Sequence, residues 1–198
     1  MIAVTGIASL DIPAALAAAR RRIVLHAAIY GNFADSPTHA AALETALSHP
    51  DFGGLDVVSI RPETEGRAMR DFLDALREGW TPEAMAEHVA RSREFLHGLA
   101  RRHPGRVRLY ETARPGLFPA LIIDDDIHFG HYARSPIPAP EGFWFHVHAD
   151  VERLSAWLRS GNIPPHATAD ERAALRIVSE CLRAMDESAP ATREDISA

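Results

Sequence analysis

Ile23-Val24-Leu25-His26-Ala27-Ala28-Ile29-Tyr30 is an almost continuous apolar run interrupted by one imidazole. Such a run, without polar alternation, marks a strand covered on both faces. It ends at Gly31-Asn32, and Ser36-Pro37 then supplies an N-cap and a proline at the first helical position. Ala40, Leu43 and Leu47 recur at helical spacing until His49-Pro50 stops the helix, and after Gly53-Gly54 residues 55–60 read as a second buried strand. Strand, helix and strand in this order make a βαβ unit, which implies parallel neighbours.

Upstream of this unit, residues 13–19 are alanine-rich, with Asp11 as N-cap and Pro13 in the first turn, which predicts a helix ending in Arg20-Arg21-Arg22. The first ten residues are apolar, but the basic run comes after them instead of before, the wrong order for a secretory signal. No apolar stretch approaches the roughly 20 residues that span a bilayer, so no membrane segment is expected.

Downstream, Met69, Phe72, Leu73 and Leu76 predict a helix over 66–78, and Thr81-Pro82-Glu83 opens another that runs to His103-Pro104-Gly105. Its polar face interleaves Arg91, Arg93, Arg101 and Arg102 with Glu83, Glu87 and Glu94, the pattern of a solvated face. A short strand over 107–110 precedes Pro115-Gly116 and a strand over 120–124. Asp125-Asp126 is expected as a tight turn, with residues 127–132 as the returning arm of a hairpin. Three prolines in 135–140 remove three backbone donors, so that loop is expected to cross a sheet edge. Residues 143–148 alternate as a last strand, and Asp150 caps a helix. A capping box, Thr168-x-x-Glu171, starts a final helix with Leu175, Val178, Leu182 and Met185 on one face.

The order predicts an α/β domain over 1–160 with a mixed, partly parallel sheet and helices on both faces. Residues 161–187 are expected as a helical appendage whose apolar stripe makes a homodimer, and 188–198 as a flexible tail.

The 198 residues suit one domain that buries roughly 70% of its unfolded surface. Hydrophobic residues are 46% and charged residues 24% of the chain, values that exclude collagen, coiled coil and global disorder. The net charge of −6 argues against nucleic acid as a partner. All 21 cations are arginine, and the absence of lysine excludes Schiff bases, Walker-type phosphate lysines and Ser-Lys pairs. Cys181 is the only cysteine, so no internal disulfide can form and a reducing compartment, the cytoplasm, is expected.

The segment Leu117-Phe118-Pro119-Ala120-Leu121-Ile122-Ile123-Asp124-Asp125-Asp126-Ile127-His128-Phe129-Gly130-His131-Tyr132 resembles the second half of a phospholipase D-like domain, in which a strand runs into an Asp-containing hairpin and then a glycine. The chain is also similar to a set of bacterial proteins sharing Ile-Asp-Asp, Gly-His-Tyr-Ala and Gly-aromatic-Trp, which adds no chemistry. The resemblance implies a phospholipase D-like fold over residues 20–158. It also implies a His-x-Lys-x4-Asp signature, with histidine as nucleophile and lysine as phosphate clamp. Counting from Asp124 puts Leu117 and Pro119 at those positions, and counting from Asp125 puts Phe118 and Ala120 there. The Gly-Ser-x-Asn that commonly comes next is Gly130-His131-Tyr132-Ala133, one residue early. Phosphodiester transfer of the family type is therefore not expected. The resemblance offers a precedent for binding instead: some phospholipase D-like domains of transcriptional regulators bind sugars after losing the His-Lys pair.

Two constellations remain. His146-x-His148 puts two imidazoles on one sheet face near His128 and His131, but no carboxylate or cysteine closes a ligand set by spacing, so neither a metal nor a cofactor is expected. The end of the first buried strand, with Tyr30, Asn32 and Ser36 at a helix start and Arg61 after the neighbouring strand, suits a small anion, because ligands bind outside the carboxyl ends of parallel strands. With His131 and Arg134 these residues form the expected ligand site of a non-catalytic binding or regulatory module. The rival reading is a hydrolase in which His131 or His26 acts as general base beside Asp124. A third is a structural protein-interaction domain.

Overall fold

The computed structural model describes residues 1–61 and 67–190. Its strands are β1 (Ile2–Thr5), β2 (Ile23–His26), β3 (Leu55–Ile60), β4 (Val107–Thr112), β5 (Ala120–Ile123), β6 (Asp126–Phe129), β7 (Phe143–His148) and the two-residue β8 (Ala189–Pro190). The helices are α1 (Ile12–Ala18), α2 (Gly31–Ala34), α3 (Pro37–Ser48), α4 (Arg67–Leu76), α5 (Pro82–Arg102), α6 (Val151–Ser160) and α7 (Ala169–Asp186). The strands form one sheet in the order β1-β7-β6-β5-β2-β3-β4-β8. β2, β3 and β4 are parallel, while β5, β6, β7 and β1 extend the sheet antiparallel from β2. The architecture is thus α/β with a mixed, partly parallel sheet.

Both sheet faces are covered. Ile23, Leu25, Leu121, Ile123 and Trp144 pack with Leu16 of α1, Leu43 and Leu47 of α3, and Leu96 and Leu99 of α5. On the other face Val24, Ile122 and Ile127 pack with Leu154 of α6 and with Leu175, Ile177 and Val178 of α7. A third, smaller cluster of Ala28, Ile60, Met69 and Leu76 seats α4 beside the carboxyl ends of β2 and β3. This double cover is why β2 reads as a continuous apolar run, all four of its residues being buried.

Asp11 stands at the N-cap of α1 but its side chain makes no capping hydrogen bond, whereas the other local signals act as their chemistry predicts. Ser36 Oγ accepts the His39 amide, Thr81 accepts that of Ala84, and both halves of the Thr168/Glu171 capping box form. The carboxyl end of α3 is closed from outside by Arg106, whose guanidinium donates to the Leu47, His49 and Pro50 carbonyls.

Four expectations need correction. The first strand stops at His26, because Tyr30 already caps α2 and its hydroxyl takes the Ala27 amide. The hairpin turn is Asp124-Asp125, with Asp126 the first residue of β6, since Asp124 adopts the left-handed conformation at φ 54°. The amino terminus forms an edge strand on β7. Residues 161–187 are not an appendage: α7 covers one sheet face with the stripe that suggested a homodimer, so that stripe gives no ground for self-association. Of the expected tail, Ala189–Pro190 pair with Tyr110 and Glu111 of β4, while 191–198 lie outside the described residues. Residues 62–66, which include the first residue of the helix expected over 66–78, also lie outside them. No helix among the described residues is long and apolar enough to cross a membrane.

Candidate functional site

The carboxyl end of β2 and the start of β5, paired through His26 and Ala120, floor a largely apolar cavity of about 130 Å³. A void of roughly this size holds a single six-membered ring. Ile7, Phe33, Leu76, Leu121, Pro140 and Trp144 contribute its apolar wall, and Asn32, His39, Arg77 and Tyr132 its polar points, while His26 packs its ring on Gly116 and Phe118, which lie outside the lining. The open-sheet rule that places ligands beyond strand carboxyl ends is satisfied here by an antiparallel as well as a parallel neighbour of β2.

His26 is 1% exposed. Its Nδ1 lies 3.1 Å from the Phe118 carbonyl oxygen, and its buried Nε2 has no partner among the described residues. Burial pushes its pKa down, so the ring is neutral near pH 7. Gly116 lets the ring lie where it does: a Cβ there would stand 2.5 Å from Cε1.

Tyr132 sits beyond β6 with its hydroxyl accepting the Ala28 amide at 3.2 Å, and its ring meets Phe72 edge-on. Burial pushes its pKa up to about 12, so it keeps its proton. Arg77 comes directly after α4, half-buried, and donates to the Leu76 carbonyl at 2.9 Å while its guanidinium carbon lies 5.6 Å from the centre of the Trp80 ring. No carboxylate among the described residues pairs with it, and burial pushes its pKa down. Trp80 in turn stands edge-on to the buried His88, which packs on the Gly31 backbone. His39 is tied to Ser36 Oγ through Nδ1 at 2.7 Å, and burial lowers its pKa too.

The residues singled out in the sequence scatter. Tyr30 and Asn32 line the cavity, but the Tyr30 hydroxyl is spent on the Ala27 amide and the Val58 carbonyl. Ser36 caps α3 and reaches the cavity only through His39. Arg61 is half-buried at the end of β3, where its amide donates to Thr112 of β4, and it is not in the cavity wall. His131 and Arg134 are exposed outside it, with the His131 ring beside Gly142. His26 ends β2 with its ring on Gly116 and Phe118, and Asp124 closes the opposite end of β5, where its carboxylate accepts the Arg20, Arg21 and Arg22 amides at 3.0, 2.7 and 3.0 Å. His26 and Asp124 therefore lie at opposite ends of the β2–β5 pair.

Arg77, Tyr132 and His39 were missed as site residues. An arginine after an apolar helical stripe looks like any solvated helix end, and only tertiary placement of α4 brings it to β2. The paired histidines do meet a carboxylate that spacing hid: Asp126 Oδ1 lies 2.8 Å from His146 Nε2 and 3.1 Å from His148 Nδ1, since β6 and β7 pair Asp126 with His148. His128 stacks on His146 with ring centres 4.7 Å apart. Among the described residues no group of three or more His, Cys, Asp or Glu side chains is arranged to hold a metal ion.

No protein-family model matches the sequence, and no curated protein matches it. Among solved structures the chain is similar to the phospholipase D family member Nuc from Salmonella typhimurium, with TM-score 0.46 and 8% identity over 92% of this chain and 90% of that one. It is similar to the phosphatidylserine synthase of Haemophilus influenzae Rd KW20, with TM-score 0.46 and 10% identity over 96% of this chain and 45% of that one. It is also similar to TrmBL2, an archaeal chromatin protein, with TM-score 0.41 and 15% identity over 81% of this chain and 49% of that one. The chain spans about half the length of the last two.

Proposed function

We propose that this chain is a non-catalytic binding module on a degenerate phospholipase D-like fold, acting in the cytoplasm, and that its cavity takes a small, largely apolar molecule bearing one anionic group. The observation that carries this reading is Arg77: a half-buried guanidinium in the wall of an apolar cavity, with a carbonyl and an indole for neighbours and no carboxylate partner among the described residues. A cation held partly out of water without a counter-ion is costly, and an anionic ligand offsets that cost. The protonated Tyr132 hydroxyl, which interacts electrostatically with Arg77, adds a donor to the same end. The non-catalytic part rests on the sequence, which places Leu117 and Pro119, or Phe118 and Ala120, where the family has its His-Lys pair and has no lysine with which to restore it.

The reading moves the anion from the start of α3 to the far side of the cavity, and thermal shift distinguishes the two places. Benzoate is expected to raise Tm, a ligand at a hundred times its Kd contributing about 2.7 kcal/mol, and Arg77→Gln should remove the rise. Inorganic phosphate, lacking the apolar body, should do far less. A rise with phosphate alone that is abolished by Arg61→Ala would restore the α3 site and overturn this one. Bis-p-nitrophenyl phosphate should not turn over, and metal-independent hydrolysis lost in His26→Ala would instead establish an enzyme.

A further inference from the structure

On the sheet face opposite the cavity, a groove of about 500 Å³ opens between α6, α7 and the segment that enters β5. Leu117, Phe118, Leu158 and Ile163 give it an apolar lining. Two of the seven large apolar side chains exposed among the described residues lie here, Leu117 at 75% and Ile163 at 42%. Leu117 is fixed in place, because its amide donates to Glu180 Oε1 of α7 at 3.1 Å. Apolar side chains gathered in one exposed hollow, in contrast to those scattered singly, mark a contact surface. The rim sets the kind of contact. Arg176 and Arg183 of α7 border the groove, both exposed, and neither makes an ion pair among the described residues. The arginines around them are neutralised: Arg153 pairs with Glu171, Arg22 and Arg159 with Glu152, and Arg114 with Glu187. Arg176 and Arg183 stand two helical turns apart, roughly 10 Å along the axis.

We infer that this groove docks an acidic amphipathic helix of a partner protein, with apolar side chains in the hollow and carboxylates on Arg176 and Arg183. Carboxylates seven residues apart on the partner match the two arginines, since both helices return to the same face after two turns. Glu180 lies between the arginines on the same helical stripe and keeps acid from the middle of the partner's face. The partner's residues three and four positions after its first carboxylate are therefore apolar. A membrane fits the site poorly: the apolar groups line a hollow where insertion needs a projection, and a chain of net charge −6 is repelled by anionic lipid.

The test titrates two labelled helical peptides onto the unmodified chain by fluorescence anisotropy. One carries glutamates seven residues apart, the other lysines at the same places, and both carry leucines three and four residues after the first charge. The glutamate peptide should bind on the order of tenfold more tightly, because each exposed pair shifts Kd severalfold and two pairs turn from attraction to repulsion. In the double variant Arg176→Glu, Arg183→Glu the preference should reverse, which a loss of structure could not produce. Leu117→Ser should weaken both peptides alike, on the order of tenfold, by removing an apolar anchor. Methyl resonances of Leu117 and Ile163 should move as the glutamate peptide is added, while those of Leu76 in the cavity hold still. Equal affinity for the two peptides, binding of neither, or no reversal in the double variant refutes the acidic helix. Binding of pure phosphatidylglycerol vesicles in place of the peptides would make the groove a membrane contact. A dimer of the chain alone that Leu117→Ser dissociates would make a second copy the occupant, and either result overturns the proposal.

Discussion

At the scale of single residues, Asp124 takes three consecutive backbone amides from the turn between α1 and β2, so the aspartate that the resemblance would place in an active site works here as a clamp. Charge-assisted bonds to amides are strong, and removing the acceptor leaves three donors together. Asp124→Ala should cost about 2–4 kcal/mol, read as a lower urea midpoint with unchanged slope. A change within experimental scatter would mean that water replaces the carboxylate freely. His128 makes a different demand. Burial, with the positive field of the adjacent His146, pushes it down to about 4 although Asp126 pulls the other way. An unfolded histidine titrates near 6.5, so between those values the unfolded chain holds the extra proton. The stability from neutral His128 is complete above about pH 6.5 and is lost as the pH falls toward 4. His128→Leu should therefore lose about 2–3 kcal/mol less than the parent chain between pH 7 and pH 4. Parallel stability–pH curves for the two proteins would refute this.

Among elements, the least legible was the passage from β2 to α2. Residues 27–30 look like more strand because apolar composition does not reveal that the Tyr30 hydroxyl will take the Ala27 amide and donate to the Val58 carbonyl. Ser92 of α5 then receives the Tyr30 amide at 2.8 Å, fixing where α2 begins. None of these partners lies within a periodic window. β1 was hidden for another reason: its residues are mostly exposed and short of alternation, and only pairing with β7, far along the chain, makes them a strand. By contrast α3, α5 and α7 were legible because their caps are local chemistry. The junction gives an element-scale prediction. Gly31 opens α2 directly on the His88 ring, and a Cβ there would stand 1.9 Å from Cε1. Gly31→Ala should destabilise by roughly 2 kcal/mol through overpacking. In the His88→Ala background most of that cost should disappear, a coupling that a double-mutant cycle reads directly. Strict additivity would show that α2 and α5 do not meet through this pair.

For the whole molecule, apolar periodicity revealed the two-sided sheet but divided the chain in the wrong place. The division came from Pro164 and Pro165, which look like a linker, and from the strong capping box after them, which looks like a fresh start. Such signals report where a helix begins, not what its apolar stripe will cover. That stripe lies on the sheet: Leu175, Ile177 and Val178 are buried against Val24, Ile122 and Ile127. Six buried aliphatic side chains are worth on the order of 10 kcal/mol, comparable with the whole stability of a domain, about 5–15 kcal/mol. A chain ending at Gly161 should therefore lack a cooperative thermal transition and bind an apolar dye such as ANS, since only α6 would remain on that face of β2, β5 and β6. A chain ending at Ser188, which gives up only the two-residue β8 and residues 191–198, should keep its transition with a Tm lower by a few degrees at most. If the shorter chain still melts in one step and leaves the dye dark, α7 is dispensable, and its stripe becomes available for the self-association that its spacing suggests.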